Sequence, residues 1–304
     1  MGGVVHPVPE YMEKDRIATL ENPEPRQMLQ RDPKDLQPSN KRRWWAWPLT
    51  LILLCAGGYG LYQSVNKQKA AGPGAGKSGK KGDRNVPVVA VAGRGAATAT
   101  GDLLFSRAFA ELAAAKSVEA VRELAVACSQ LAAGELMQRA DAYDTGVSVS
   151  RYLERCRCKT AVLFRAACVL GSLAGDGEGE RLAVFGERIG LAFQLLDDVL
   201  DVAGPPERTG KPRGTDLLDG TVTLPLILAR ERDPALASLD LRTVRDPVAA
   251  TAVCDSIAAT GALADTRARG LAMVAQAKDG LAGLEYRRRA ALELVADGVV
   301  DRYA

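Results

Sequence analysis

The chain has 304 residues, 47% hydrophobic but only 5% aromatic, with 40 basic residues against 37 acidic ones and a single histidine, His6. Such a chain can bury a real core, and its recurring Ala and Leu favour helix over strand, because both lose little on entering a helix. A net charge of +3 gives no global field for nucleic acid, and one histidine all but excludes a His-based triad or a His-ligated zinc site.

Residues 1–43 are polar, with prolines at 7, 9, 23, 25, 33 and 38 and no sustained apolar period. They read as a disordered leader. Residues 44–63 read as one transmembrane helix. The stretch WWAWPLTLILLCAGGYGLY has nineteen residues and no charge, about enough to span a bilayer core. Trp44, Trp45 and Trp47 at one end and Tyr59 and Tyr62 at the other suit the two interfaces. The run starts too late for a cleaved signal peptide. Trp residues beside Lys41, Arg42 and Arg43 also argue against a buried soluble helix. The expected location is therefore a single pass through an inner membrane. Six basic residues lie close on each side, so the side taken by the C-terminal domain stays open. The cluster at 41–43 favours a cytoplasmic N-terminus.

Residues 64–94 form a basic Gly/Lys linker. AGPGAGKSGK resembles a phosphate loop, but the pattern needs Gly where Ala71 stands, and it needs a preceding strand. A flexible tether is the better reading. The run from Val86 to Ala92 is expected to begin a strand. Leader, anchor, tether and short β segment together resemble the N-terminus of periplasmic adaptor proteins of tripartite efflux pumps, over residues 35–92. The β-barrel and lipoyl regions of such adaptors are absent.

From about residue 95 the period becomes helical. Leu103, Leu104, Ala108 and Leu112 share a face. Helices are expected over Val118 to Ala140, Val149 to Leu173, Glu178 to Val202, Thr221 to Arg230, and about 244–257, 260–278 and 286–302. Gly134 and Gly190 lie inside helical runs, where they permit close packing or ligand approach. No alternating strand pattern of any length occurs, so 95–304 reads as an all-α bundle. Cysteines at 55, 128, 156, 158, 168 and 254 lack the C-x-x-C spacing of metal or redox motifs, and reduced thiols packed in helices are expected.

The sharpest segment is Phe193-Gln-Leu-Leu-Asp-Asp-Val-Leu-Asp201. On a helix, Asp197 and Asp201 are i, i+4 neighbours, Asp198 and Asp201 are i, i+3, and Gln194 lies one turn back. Four oxygen-bearing side chains thus gather on one stripe, opposite Ile189, Phe193, Leu196, Val199 and Leu200. The mutual repulsion of the three carboxylates calls for a cation. Hard oxygen donors without imidazole or thiolate select Mg²⁺ or Mn²⁺, with Mg²⁺ commonly held by one or two carboxylates plus substrate phosphates. A solvated acidic patch is the bland alternative. Neighbouring Gly210-Lys211-Pro-Arg213-Gly-Thr-Asp216 and Lys159-Thr160 supply cations and hydroxyls that shift the balance toward phosphate.

These residues carry a specific resemblance. FQLLDDVLD followed by GKPRGTDLLDGTVTLPLIL is similar to the second aspartate-rich region of trans-prenyl diphosphate synthases. GDLLFSRAF at 101–109, GELMQ at 134–138, KTAVLF at 159–164 and ADGVVDRY at 296–303 match the same family in the same order, over about 210 residues. The resemblance implies an isoprenoid-synthase-like helical bundle, incomplete here. It also implies a prenyltransferase that condenses an allylic diphosphate with isopentenyl diphosphate. Asp197, Asp198 and Asp201 would bind Mg²⁺, and Lys159 and Lys211 the allylic diphosphate. Gln194 and Thr160 would sit beside the carbocation. A homodimer or a partner chain is implied as well.

The sequence also departs from that family. Upstream of Gly101 it holds no D-D-x-x-D, and the Gly-Lys-Arg region and paired arginines for isopentenyl diphosphate are missing. Thr221 or Val222 replaces the lysine often found before the TLP segment. Half a metal cluster predicts impaired catalysis. The competing expectations are a non-catalytic membrane-anchored helical protein or fusion product, and an efflux-adaptor fragment supported by the N-terminal third alone.

Overall fold

A computed structural model describes residues 88–175, 177–204 and 212–301. The expected leader, the expected membrane span, the expected tether up to residue 87 and Lys211 lie outside the described residues. Every regular element within them is helical: α1 (Val88–Ala114), α2 (Val118–Ala140), α3 (Val149–Cys156), a π turn (Arg157–Ala161), α4 (Val162–Leu173) and α5 (Gly179–Ala203). After the second gap come α6 (Thr215–Leu218), α7 (Leu224–Arg230), α8 (Pro234–Ala237), a 3₁₀ turn (Leu241–Thr243), α9 (Pro247–Ala259), α10 (Ala262–Asp279) and α11 (Tyr286–Asp301).

The sequence period foretold most of these helices to within a few residues. Local chemistry sets the ends. Ser117 caps α2 by accepting from Ala120 N at 3.1 Å, Ser148 caps α3, and Asp246 accepts from the first free amides of α9. Two expectations need correction. Residues 88–92 are not strand but the first turns of α1, which breaks at Gly93 (φ 81°, ψ 172°). A lone β segment has no partner for its backbone groups, whereas a helix satisfies its own. The expected helix from Thr221 starts only at Leu224, where Pro225 fits the first turn and leaves 221–223 extended or loop-like.

Helix α5 is the axis of the bundle. Phe185, Ile189, Ala192 and Leu196 pack into a cluster with Val274 and Ala277 of α10 and Ala296 and Val299 of α11. Leu191, Leu195 and Val202 face the other way, into a cluster with Tyr152, Leu226, Cys254 and Ile257. Two apolar faces on one helix leave a narrow polar stripe between them, and that stripe carries Gln194, Asp197 and Asp198. Three glycines bring the neighbours close. A Cβ on Gly190 would meet Ala161 Cα at 2.5 Å, one on Gly186 would meet Phe164 O at 2.5 Å, and one on Gly134 would meet Lys159 N at 2.7 Å. The π turn is thus clamped between α2 and α5. Among the described residues no single helix is long and apolar enough to cross a membrane.

Candidate active site

The expected single helix from Val149 to Leu173 is interrupted by the π turn at 157–161. Extra residues in a helix re-aim the side chains that follow, and such bulges concentrate at functional sites. Here the turn points Lys159 and Thr160 into a space between α2, α3 and α5, where both are buried.

Two hydrogen-bonded arrays meet in that space. Lys159 Nζ donates to Gln138 Oε1 at 2.7 Å and lies 2.9 Å from Glu135 Oε2. Glu135 and Gln138 share one face of α2, directly beside the Gly134 contact. Gln138 Nε2 in turn donates to Thr221 Oγ1 at 3.3 Å. On the α5 side, Thr160 Oγ1 donates to Gln194 Oε1 at 2.7 Å and Gln194 Nε2 donates to Asp198 Oδ1 at 2.8 Å. Tyr152 OH donates to Asp198 Oδ2 at 2.6 Å. Each oxygen of Asp198 therefore accepts one protein hydrogen bond and keeps a further lone pair.

Asp198 is only 1% exposed. Burial, and then the charges of Asp216 and Asp197, push its carboxyl up to about 7, against the opposing pull of the Tyr152 and Gln194 hydrogen bonds. Burial and the same Asp198 charge drive the Tyr152 hydroxyl well above its ordinary range. The Cys156 thiol, pushed up to about 12 mainly by burial, stays protonated. A crowded set of carboxylates held apart from water is what a bound cation would relieve. The small cavity enclosed here, about 30 Å³, is lined by Lys159, Thr160, Gln194, Asp197, Asp198 and Asp216, with Tyr152 and Gln138 at its sides. It has room for about one or two water-sized groups.

The structure brings together Lys159, Thr160, Gln194, Asp197 and Asp198, five of the seven residues singled out from sequence. Lys211 lies outside the described residues. Asp201 does not line the cavity. Its Oδ2 accepts from Asp216 N at 3.1 Å and its carbonyl from Gly214 N at 2.9 Å, so it pins the loop that returns from α5. That loop delivers Asp216, which the sequence showed only as the end of a Gly-Lys-Pro-Arg-Gly-Thr-Asp run. Glu135 and Gln138 were visible within GELMQ without a role. Tyr152 gave no signal of its own. Arg155 was equally silent; it is buried, pairs with Asp141 at 3.4 Å and donates to the Val222 carbonyl, tying α3 to the 221–223 segment.

Among the described residues no group of three or more His, Cys, Asp or Glu side chains is placed to hold a metal ion by itself. Asp197, Asp198 and Asp216 line the cavity as hard oxygen donors, and a hard cation bound by one or two carboxylates takes its other ligands from water or a second molecule.

Comparison with known proteins decides the lineage. The family described as polyprenyl synthetase matches residues 84–256, more than half of the chain. The chain belongs to the polyprenyl synthetase family. Among curated members, it is 39% identical over 143 residues to heptaprenyl diphosphate synthase component 2 of Geobacillus stearothermophilus, covering 46% of this chain and 45% of that one. It is 33% identical over 211 residues to geranylfarnesyl diphosphate synthase of Natronomonas pharaonis, covering 66% and 62%. In most of these alignments the chain spans about half the length of the curated polyprenyl synthetases it matches. In three dimensions it resembles a polyprenyl synthase of Caulobacter crescentus complexed with calcium and isoprenyl diphosphate. There the TM-score is 0.75 and the identity 30%, over 88% of this chain and 81% of that one. The all-α isoprenoid-synthase bundle read from sequence is thus the observed fold.

Proposed function

We propose that the cavity between α2, the π turn and α5 is a Mg²⁺-diphosphate site of a trans-prenyltransferase acting on an allylic diphosphate and isopentenyl diphosphate. The observation that carries this is the convergence of buried Lys159 and Asp198 and half-buried Gln194 around one small cavity, with two more carboxylates beside them. Asp197 and Asp198, with Asp216 alongside, are the residues that would hold Mg²⁺. When bound, the ion neutralises negative charge growing on a departing diphosphate. Lys159 contributes a fixed positive charge whose direction Gln138 and Glu135 set. Thr160 and Gln194 are locked to one another and present oxygen atoms beside an electron-poor carbon. The apolar faces of α4 and α5 keep water from such a carbon.

In this reading a second aspartate-bearing helix completes the metal cluster, and a partner chain supplies it. The name "component 2" of the Geobacillus relative supports a divided enzyme. The test is elongation of a radiolabelled allylic primer by the purified chain, alone and mixed with a first-motif chain of a related synthase. Product only in the mixture supports the proposal, and product from neither sinks the activity. The second reading, a non-catalytic membrane-anchored protein or fusion product, draws on the lack of a D-D-x-x-D upstream of Gly101. It predicts no product in either case. We further propose that residues 44–63 anchor the chain in the inner membrane. Deleting them should move it from the membrane to the soluble fraction, and unchanged fractionation would refute the anchor.

A further inference from the structure

The two hydrogen-bonded arrays of the site run in opposite directions. Lys159 has only protons to give, so Gln138 Oε1 accepts from it at 2.7 Å. That fixes Gln138 Nε2 as a donor, and Thr221 Oγ1 accepts from it at 3.3 Å. The Thr221 hydroxyl proton is left to point elsewhere, and no acceptor takes it among the described residues. The array on α5 ends the other way, on the acceptor oxygens of Asp198. One side of the cavity thus offers protons and the other offers lone pairs. We propose that Thr221 and Thr223, backed by Arg155, form an anion-binding wall that takes a terminal phosphoryl oxygen of the diphosphate by hydrogen bonds. This deepens the metal-diphosphate reading and rests on it.

Thr223 is 6% exposed and lines the cavity, yet its hydroxyl has no partner among the described residues. It precedes α7 with an extended backbone but caps no amide there. Its oxygen is not sealed within packed side chains, so the cavity it lines is where a partner can reach it. Thr221, 8% exposed, lines the same cavity with its proton unclaimed. Buried hydroxyls normally find partners, and leaving them without one costs free energy.

Arg155 stands behind this wall. It is 3% exposed and also lines the cavity. Its Nη2 donates to the Val222 carbonyl, which holds the segment between the two threonines in place. Its Nη1 reaches Asp141 at 3.4 Å, but Asp141 also faces Arg151 at 3.1 Å. One carboxylate shared by two guanidiniums leaves a net positive charge beside the cavity. Two guanidinium N–H groups of Arg155 donate within the protein, and the rest have no acceptor among the described residues.

Protons on one wall and carboxylates on the other suit a ligand that arrives as a cation-anion pair. The hard cation takes the carboxylate oxygens, and a phosphoryl oxygen attached to it takes the donors opposite. At about 30 Å³ the cavity admits one or two such oxygens. Thr221 or Val222 stands where the family resemblance led to a lysine, so this wall donates through hydroxyls. A hydroxyl fixes direction without adding charge, and Lys159 and Arg155 already supply charge.

The test is calorimetry of inorganic pyrophosphate with the full chain in saturating Mg²⁺. Thr223→Val removes the hydroxyl at nearly constant shape and breaks no hydrogen bond among the described residues, so its melting temperature should match the parent's. The expected result is binding at least about tenfold weaker in Thr223→Val and in Thr221→Val. Thr223→Ser and Thr221→Ser, which keep the hydroxyl, should bind within about twofold of the parent. Parent-like binding by both valine variants would overturn the proposal. Equal losses in the valine and serine variants would do the same, because they assign the effect to shape. In either case the parent still binds, and the metal-diphosphate reading stands. No Mg²⁺-dependent binding by the parent defeats that reading, and this inference with it.

Discussion

Gly134→Ala should destabilise the protein even though alanine is the better helix former. Gly134 lies in the last third of α2, where the exchange by itself would gain about 1 kcal/mol. The added Cβ, however, would stand 2.7 Å from Lys159 N and 2.9 Å from Cys158 Cβ. Ordinary contact begins at 3.4 Å, so the π turn must retreat by roughly 0.7 Å. The near atoms are mostly backbone, and the turn is held from behind by the Gly190 contact, so it has little room to yield. Overpacking of this kind costs about 1–3 kcal/mol. The net expectation is a loss of up to about 2 kcal/mol. Gly101→Ala is the internal control: Gly101 is also helical, with nothing within 4 Å of its virtual Cβ, and should become more stable by about 0.5–1 kcal/mol. Urea unfolding measures both. With a slope of about 2–3 kcal/mol/M the two midpoints should move in opposite directions, by some tenths of a molar unit each. A Gly134→Ala midpoint at or above the parent's would refute the clamped turn.

Further expectations concern the buried polar groups. Asp198 has a folded-state pKa raised to about 7. Its proton is held by both states at low pH, and the unfolded chain releases it first. The group therefore costs nothing below about pH 4, and stability falls as pH rises from about 4 to 7 and then levels off. Asp198→Asn should flatten that fall in metal-free buffer, and a melting-temperature difference between parent and variant that is the same at pH 5 and pH 8 would contradict it. Tyr152→Phe removes a 2.6 Å donor from a buried carboxylate and should lower stability by about 1–3 kcal/mol at pH 8. The loss should shrink at pH 5, where Asp198 is protonated; equal losses would argue that packing alone is involved. Arg155→Ala leaves the Val222 carbonyl and part of Asp141 without a donor in a buried setting, at an expected cost of about 2–4 kcal/mol in urea unfolding. A loss below about 1 kcal/mol would show that the pair is structurally idle.

The helices were legible because their apolar spacing is regular and their caps are local: Ser117, Ser148 and Asp246 act within three residues of themselves. The carboxylate stripe was legible for the same reason. Gln194 lies one turn before Asp197 and Asp198, and a helix leaves them no other arrangement. The π turn was not legible, since its residues have ordinary helical character and only packing between Gly134 and Gly190 reveals it. Asp216 rather than Asp201 lines the cavity, because the chain doubles back after α5 and Asp201 holds that return. Tyr152 and Arg155 act across 46 and 67 residues of sequence, on Asp198 and on the Val222 carbonyl. No local pattern records partnerships of that length.

The central claim is that Asp198 and its neighbours form a metal-dependent diphosphate site. Titrating Mg²⁺ and inorganic pyrophosphate into the parent and Asp198→Ala, each against its own EDTA baseline, tests it most directly. The account predicts a Mg²⁺-dependent binding event in the parent that disappears in the variant while the far-ultraviolet helical signal is retained. Equal Mg²⁺-dependent binding by both proteins, or none by the parent, would contradict it.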